Sequence, residues 1–200
     1  MAASLGYDVK LLAIAERVGG TFDVRVHPCF IPNGHKYFGT HTLAQIKGMD
    51  NGALIYGKLS GPQFFKGAGA GREPTALAVL YDLGLILNNM AQQKVDAVNY
   101  WSQPDAELID QGTRDTPGFI RTVSKDLPGT LHVITGVLAK HGLGIKGIYQ
   151  PDRISDREGD MVPDLVQVYP RPYASIQEAL RELATSAVCS DKPLFYRVEK

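Results

Sequence analysis

The chain has 200 residues, and its hydrophobic fraction of 44% suits the cores of one or two ordinary domains. Its 21 Lys and Arg residues balance 21 Asp and Glu residues, so the net charge is zero and no basic block predicts a nucleic-acid surface. No apolar run approaches the roughly 18 residues of a membrane helix, and no secretory pattern opens the chain, which together favour a cytoplasmic protein. Cys29 and Cys189 show neither metal-ligand nor redox spacing, so we expect two free thiols.

The chain is predicted to begin with a β-hairpin. Residues 10–18 are apolar, residues 21–26 alternate between apolar and charged, and Gly19 lies in the turn between them. Three apolar residues of the second strand share one face, while Asp23 and Arg25 share the other. This alternation is typical of a half-buried strand.

The elements that follow lead to one long helix. We expect His27-Pro28 to end the second strand, because proline donates no N–H to a ladder. A short helix over 41–49 and strands over 53–59 and 64–66 come next. Apolar residues cover most of the circumference of the helix predicted over 74–92, which indicates burial on more than one side.

A glycine string precedes this long helix. Residues 67–71 read Gly-Ala-Gly-Ala-Gly, and Pro74 and Thr75 suit a helix start. A side-chain-free bend at a helix N-terminus lets a ligand come close to the backbone and favours an anion or a polar ligand edge. The spacing is not the Gly-x-Gly-x-x-Gly of a dinucleotide fingerprint, and Asp82 lies too close to be its acidic partner. Spacing alone fits equally well a tight turn packed on a neighbour.

The last third of the chain is predicted to be a ferredoxin-like unit. Residues 95–116 read as a linker that Trp101 anchors, and after it the element order is β-α-β-β-α-β. The predicted elements cover 119–123, 130–140, 145–149, 165–169, a helix with a Ser175/Glu178 capping box, and 194–198. Both helices are expected on one face of an antiparallel sheet, so the fold class is α+β. Such units often pair their sheets edge to edge, and we expect a dimer.

Catalytic constellations are sparse in this sequence. None of the five histidines is paired with a Cys or carboxylate at metal-ligand spacing, and no general acid or base stands out. We interpret His27 as a strand-end residue, with a place in a site as the alternative. The stretch 126–129, Asp-Leu-Pro-Gly, either exposes helix N–H groups to an amino-acid carboxylate or is a plain helix-starting turn.

Taken together, these stretches resemble homoserine dehydrogenase. The second half of its catalytic domain is similar to Val-Lys-Leu-Leu-Ala-Ile-Ala at 9–15, Arg-Val-His-Pro at 25–28, Ile-Pro at 31–32, and the glycine string with Pro-Thr-Ala at 74–76. The last third looks like the ACT domain that many of those enzymes carry at the C-terminus.

The resemblance implies a domain order and an activity. It implies the C-terminal half of the catalytic domain over 1–94, with part of the substrate-domain sheet and the long buried helix, then the linker over 95–116 and a regulatory ACT domain over 117–200. The family interconverts L-aspartate 4-semialdehyde and L-homoserine with NAD or NADP, in threonine and methionine biosynthesis. By resemblance the cofactor contacts are Gly69 and Gly71. The loops for an amino-acid effector, often threonine, hold Asp126, Pro128, Gly129 and Gly142, and pairing of the ACT sheets gives a homo-oligomer.

The sequence also departs from the family pattern. The N-terminal Rossmann domain and the segments with the catalytic lysines are absent, so we expect a truncated chain that is inactive alone, with no catalytic or metal-binding residue of its own. Cys29 stands where the family more often has Thr, and Tyr-Pro-Arg-Pro at 169–172 departs from the usual end of the third ACT strand. The alternative is a free-standing ACT-type module that binds an amino acid.

Overall fold

The computed structural model describes residues 2–34, 39–92, 105–150 and 159–199 of the chain. Three α-helices are present in these ranges: α1 (Arg72–Ala91), α2 (Thr130–Lys140) and α3 (Tyr173–Thr185). The strands are β1 (Tyr7–Val18), β2 (Thr21–Pro32), β3 (Asp50–Gly57), β4 (Gly61–Ala68), β5 (Asp115–Lys125), β6 (Ile145–Tyr149), β7 (Met161–Pro172) and β8 (Leu194–Val198). In the described ranges no helix is both long enough and apolar enough to span a bilayer.

The chain divides into two compact units, and their bounds differ from the predicted domain boundaries. One unit combines Met1–Gly39 with Glu107–Lys200, and the other is Thr40–Ala106. The first unit contains a mixed six-stranded sheet in the order β1-β2-β8-β5-β7-β6. In it β2 pairs with β8 in parallel, and every other neighbouring pair is antiparallel. The N-terminal hairpin is therefore part of the same sheet as the strands of the last third.

The predicted hairpin is confirmed, but its second strand is longer than expected. Val18 pairs with Thr21 across the turn, where Gly19 has a φ of 62°. The prediction that His27-Pro28 ends this strand is wrong, because β2 runs on to Pro32 with Pro28 opposite Leu11. The residue pairs with β8 begin at Cys29, so Pro28 has a strand neighbour on one side, the edge-like setting in which proline is tolerated.

Alternation along the strands sends neighbouring residues to opposite faces of the sheet. On one face Ile120 and Val166 pack in a core with residues of α2 and α3, among them Ile134 and Leu183. On the other face lies a second cluster, made of Tyr7, Phe30, Phe119 and Leu165. The rings of Phe30 and Phe119 are 5.0 Å apart between centroids.

The elements of the last third agree with the prediction except at the start of α3. Helix α2 and strands β6 and β8 have the predicted bounds, whereas β5 and β7 are longer at both ends. The capping box of Ser175 and Glu178 is wrong, because α3 begins at Tyr173 after Pro172 and its N-cap has no side-chain hydrogen bond. The Tyr173 N–H donates instead to the Arg114 carbonyl oxygen at 3.0 Å, which ties this helix start to the chain before β5.

The predicted linker over 95–116 is partly structured. The Phe22 N–H donates to the Glu107 carbonyl oxygen at 2.8 Å, and the Ile109 N–H donates to the Phe22 carbonyl oxygen at 2.9 Å. Residues 107–109 therefore run beside the start of β2. Trp101, the predicted anchor, lies outside the described residues.

The second unit contains the β3–β4 hairpin and α1. The predicted helix over 41–49 is a short 3₁₀ turn, Thr42–Gln45. The prediction of a long buried helix is wrong for this chain: none of the residues of α1 is buried, and Leu80 and Leu87 are each 65% exposed. The other regular elements described in this unit are one two-stranded sheet and a short 3₁₀ turn, too little surface to cover a helix with apolar residues around most of its circumference.

Candidate functional site

The glycine bend joins the end of β4 to the start of α1. The Gly69 N–H donates to the Met49 carbonyl oxygen at 2.8 Å, which fixes the bend against the segment before β3. A Cβ on Gly69 would lie 2.2 Å from the Asn51 side chain. A side chain at this position would therefore have to displace the Asn51 side chain, which is exposed.

Gly71 is the glycine of the bend that the backbone conformation requires. It is the N-cap of α1, with φ 129° and ψ 153°, a conformation that residues with a Cβ rarely adopt. Its carbonyl oxygen accepts the Thr75 N–H at 3.1 Å, the first hydrogen bond of the helix. Gly69 is exposed and Gly71 is half-buried, so the bend has an open face.

A shallow depression lies at this helix start. Its lining includes Gly71, Arg72, Thr75, Ala76, Val79 and Leu80. The helix N-terminus supplies N–H groups and partial positive charge at one end of this surface, and apolar side chains continue it along the helix. A ligand with a polar edge and a flat apolar body matches this combination.

The predicted effector residues occupy two places in one copy of the chain. Asp126, Pro128 and Gly129 lie in the loop before α2, where Gly129 is the N-cap with φ 91°. Gly142, with φ 71°, follows the other end of this helix. A helix of 11 residues is about 16 Å long, so the four residues do not line one pocket within a single copy.

The loop at 126–129 is held against the start of β7. The Asp126 N–H donates to the Asp160 carbonyl oxygen, and the Gly159 N–H donates to the Asp126 carbonyl oxygen, both at 2.9 Å. The Thr130 hydroxyl donates to the Lys125 carbonyl oxygen at 2.9 Å. Pro128 and Gly129 remain exposed, so the N-terminus of α2 is open to solvent.

A buried network of charges on β2 was not predicted from the sequence. Asp23 is 0% exposed and forms ion pairs with Arg25 and Arg114. The Gln111 side-chain amide donates to its Oδ1 at 2.6 Å. The strand is half-buried, as expected, but its charged face is the inner one: Val24 and Val26 are 51% and 66% exposed. The alternation of apolar and charged residues predicts that the strand has two different faces. It does not predict which face other parts of the chain will bury.

A second unpredicted cluster lies on the same face of β2. The Cys29 Sγ is 3.1 Å from His27 Nδ1, and His27 Nε2 is 3.8 Å from Glu199 Oε1. Burial, with the nearby Arg197 guanidinium, lowers the pKa of His27 to about 4, so the imidazole is neutral at pH 7 and its approach to Glu199 is not an ion pair. Burial, with the Glu199 carboxylate, raises the pKa of the Cys29 thiol to about 12.

The signal for this cluster is present in the sequence. His27 and Cys29 are two residues apart and therefore share a face if the strand continues past Pro28. A strand that ended at Pro28 would leave Cys29 outside this alternation. Glu199 comes from the far end of the chain, and the pairing of β2 with β8 brings it near.

Comparison with known proteins gives one consistent result. The family model named Homoserine dehydrogenase matches residues 1–83. Homoserine dehydrogenase from Pseudomonas aeruginosa is 28% identical and aligns with 100% of this chain and 45% of its own length. The Bacillus subtilis protein of that name is also 28% identical, over 98% of this chain and 43% of its own length. A solved homoserine dehydrogenase from Thiobacillus denitrificans superposes with a TM-score of 0.73 at 26% identity, over 100% of this chain and 44% of that chain. This chain is similar to homoserine dehydrogenases along its whole length.

The predicted resemblance to homoserine dehydrogenase is thereby confirmed. The chain spans less than half the length of these homoserine dehydrogenases. The family model ends at residue 83, inside α1, so it includes the hairpin with His27 and the bend with Gly71.

Proposed function

We propose that this chain forms part of a homoserine dehydrogenase and supplies one wall of its nicotinamide site. The reaction would be the NAD- or NADP-dependent interconversion of L-aspartate 4-semialdehyde and L-homoserine. The observation that carries the proposal is the glycine bend at Gly69 and Gly71, which is open on one side and placed at a helix N-terminus.

The chemistry of the bend suits this role. Hydride transfer requires the nicotinamide to be held closely against the substrate, and a backbone without side chains allows that approach. The amide edge of a nicotinamide can accept hydrogen bonds from helix N–H groups while its ring lies on apolar side chains such as Ala76 and Val79. The cofactor, when bound, supplies or accepts the hydride. This chain would position the ring and keep water from one side of it.

The exposed apolar surface of α1 supports a role as part of a larger assembly. Its large apolar side chains are about half to two-thirds exposed, among them Leu77, Leu80, Ile86 and Leu87. Apolar patches of this kind mark surfaces that another polypeptide covers. We infer that further polypeptide carries the remaining cofactor and substrate contacts, so the chain alone does not turn over homoserine.

Genetic complementation tests this proposal. The test strain is a homoserine auxotroph that expresses a truncated Pseudomonas aeruginosa homoserine dehydrogenase, limited to the portion that this chain does not match. We expect this strain to grow without homoserine when this chain is co-expressed. Gly71→Val should abolish growth, because a β-branched residue does not adopt a φ of 129°. Gly67→Ala is the matched control, since a Cβ there meets nothing within 4 Å.

Two outcomes would overturn the proposal. One is failure of a well-expressed, folded chain to support growth, and the other is equal growth with Gly71→Val and with Gly67→Ala. Homoserine-dependent reduction of NADP⁺ by the purified chain would separately contradict the inference that it is inactive alone.

A second candidate function is binding of an amino-acid effector. The observation that favours it is the arrangement of β5-α2-β6-β7-α3-β8, whose strands lie in the order β8-β5-β7-β6 with both helices in one core cluster. From this order we infer a ferredoxin-like unit of the ACT type, which would dimerise along the outer edge of β6. The exposed loop at Pro128 and Gly129 is then the candidate contact for an effector carboxylate, with Gly142 contributed from a second copy.

Calorimetric titration with threonine separates this function from the first. Saturable binding of threonine by the purified chain supports an effector site. This binding should be lost in Asp126→Ala and kept in Asp191→Ala, a control at an exposed position. Heat that does not saturate, or equal binding by both variants, counts against an effector site in this loop. Neither result depends on the complementation experiment.

A further inference from the structure

We propose that His27, Cys29 and Glu199 form a binding site for a borderline-soft divalent cation, with Zn²⁺ as its expected occupant. The site lies in the first compact unit, where β2 meets the end of β8, and it is independent of the proposed nicotinamide wall. One ligand atom from each of the three residues can be chosen so that all three lie within 4.8 Å of one another.

The backbone fixes the three side chains in place. His27 and Cys29 are alternate residues of β2 and point to the same face. Cys29 is opposite Arg197 in the parallel pair of β2 and β8, and the Glu199 N–H donates to the Phe30 carbonyl oxygen at 3.1 Å. The third ligand therefore comes from a segment that is hydrogen-bonded to the strand carrying the first two.

The three ligand atoms lie close enough to reach one tetrahedral zinc ion once the side chains rotate. Zinc–ligand distances of about 2.0–2.3 Å place the ligand atoms of one tetrahedron about 3.3–3.8 Å apart. The Cys29 Sγ is 3.1 Å from His27 Nδ1, and His27 Nε2 is 3.8 Å from Glu199 Oε1. Because these two separations run to different nitrogens of one ring, zinc would bind Nε2 alone, and rotation of the Cys29 and Glu199 side chains would bring Sγ and one carboxylate oxygen to about 3.3–3.8 Å from it, with water in the fourth position.

The imidazole has an unused nitrogen. His27 Nε2 is buried and has no hydrogen-bond partner among the described residues. A buried polar atom without a partner costs free energy, and a metal ion is one way to satisfy it. Cys29 is 0% exposed, so its sulfur would hold the ion on the buried side of the site.

The charged groups around the site are balanced before a metal ion enters. The guanidinium groups of Arg25, Arg114 and Arg197 are balanced by three carboxylates, those of Glu16, Asp23 and Glu199. Metal binding would form a sulfur–zinc bond and release the Cys29 thiol proton to solvent, a net gain of one positive charge. Arg25 contacts Glu199 at 3.2 Å and also pairs with Asp23, so it keeps one carboxylate when Glu199 turns to the metal.

The ligand set selects the class of metal. Thiolate and imidazole favour zinc and similar borderline or soft ions over Mg²⁺ and Ca²⁺, which prefer sites made of oxygen atoms. The site would join the N-terminal hairpin to the C-terminal end of the chain, so its expected role is structural, or inhibitory if the hairpin must move.

Cobalt titration of the chelator-treated chain tests the proposal, because Co²⁺ occupies zinc sites and shows a thiolate charge-transfer band in the near ultraviolet. We expect the band to saturate at one equivalent and to disappear on addition of Zn²⁺. Cys29→Ser should lose the band, whereas Cys189→Ser, which removes the other free thiol, should keep it. His27→Gln should weaken Zn²⁺ binding by at least about tenfold. Even mutation of residues that only hydrogen-bond to metal ligands lowers metal affinity about 10–100-fold, and His27 is a ligand itself.

Three results would overturn the proposal. They are the absence of the charge-transfer band in the folded wild-type chain, a band that persists in Cys29→Ser, and unchanged Zn²⁺ affinity in His27→Gln. Far-ultraviolet circular dichroism establishes that each variant is folded before titration. If Cys29→Ser fails to fold, two other measurements test the proposal. Zn²⁺ should raise the urea midpoint of the wild-type chain, and His27→Gln should weaken Zn²⁺ binding; absence of both effects would overturn it.

Discussion

Replacing Asp23 by Asn tests whether the buried charges of β2 hold the first unit together. The Asp23 carboxylate is 0% exposed and accepts from Arg25, Arg114 and the Gln111 amide. Asp23→Asn keeps the shape and one acceptor oxygen for Gln111, but removes the charge and turns an amide toward the guanidinium groups. Hydrogen bonds to charged groups contribute roughly 1.5–3 kcal/mol each, and breaking a buried ion pair costs roughly 3–5 kcal/mol.

The surrounding residues reduce this loss. Arg25 keeps Glu199, and Arg114 keeps Glu16 at 3.0 Å, so neither guanidinium is left without a carboxylate. We therefore expect Asp23→Asn to lower the free energy of unfolding by about 3 kcal/mol, the low end of the range for a broken buried pair.

Urea denaturation followed by circular dichroism measures this loss, with an unchanged m-value as the sign that two-state unfolding holds. Glu16→Gln is the matched control, because Glu16 joins the same arginines but its side chain is 50% exposed, and it should cost less than about 1 kcal/mol. Equal losses for Asp23→Asn and Glu16→Gln would refute the assignment of the stabilising role to the buried carboxylate.

Two further predictions concern the thiols and the glycine bend. In the native chain a thiol reagent should modify the partly exposed Cys189 first and should reach Cys29 only on unfolding, because burial raises the pKa of the Cys29 thiol to about 12. Mass spectrometry measures the two modification rates, and equal rates would contradict this prediction. Gly71→Ala should lower stability by roughly 1–3 kcal/mol in thermal melts because of its φ of 129°, whereas Gly84→Ala, inside α1 with open space around its Cβ, should raise stability by up to about 1 kcal/mol. Similar shifts in both glycine variants would show that backbone conformation is not the deciding factor.

The local elements of the last third could be predicted closely because their signals are local. Helix α2 has apolar residues at helical spacing and a glycine after its end, and its bounds follow from these two features. The start of α3 could not be predicted in this way. A Ser-x-x-Glu pattern suggested a cap, but Tyr173 is tied to Arg114 by tertiary contact and the helix begins earlier.

The candidate sites also differ in whether their signals are local in the sequence. The bend at Gly69 and Gly71 could be predicted from glycines at alternate positions, and the positive φ of Gly71 gives a backbone reason for one of them. The cluster of His27, Cys29 and Glu199 depends on the parallel pairing of two strands from opposite ends of the chain, which no local pattern predicts. The same holds for the buried face of β2, where the deciding partners of Asp23 lie beyond the hairpin.

The parallel contact between β2 and β8 has a consequence for any attempt to dissect this chain. A recombinant piece cut at residue 117, where the sequence predicts that a regulatory domain begins, would lose the N-terminal hairpin and leave one edge of β8 unpaired at Arg197 and Val198. Unshielded strand edges recruit other strands, so such a piece would tend to self-associate for reasons unrelated to its natural oligomeric state. A fragment meant to keep strands β5 to β8 in their native sheet should therefore include residues 1–34, added as a second polypeptide or joined by a short linker.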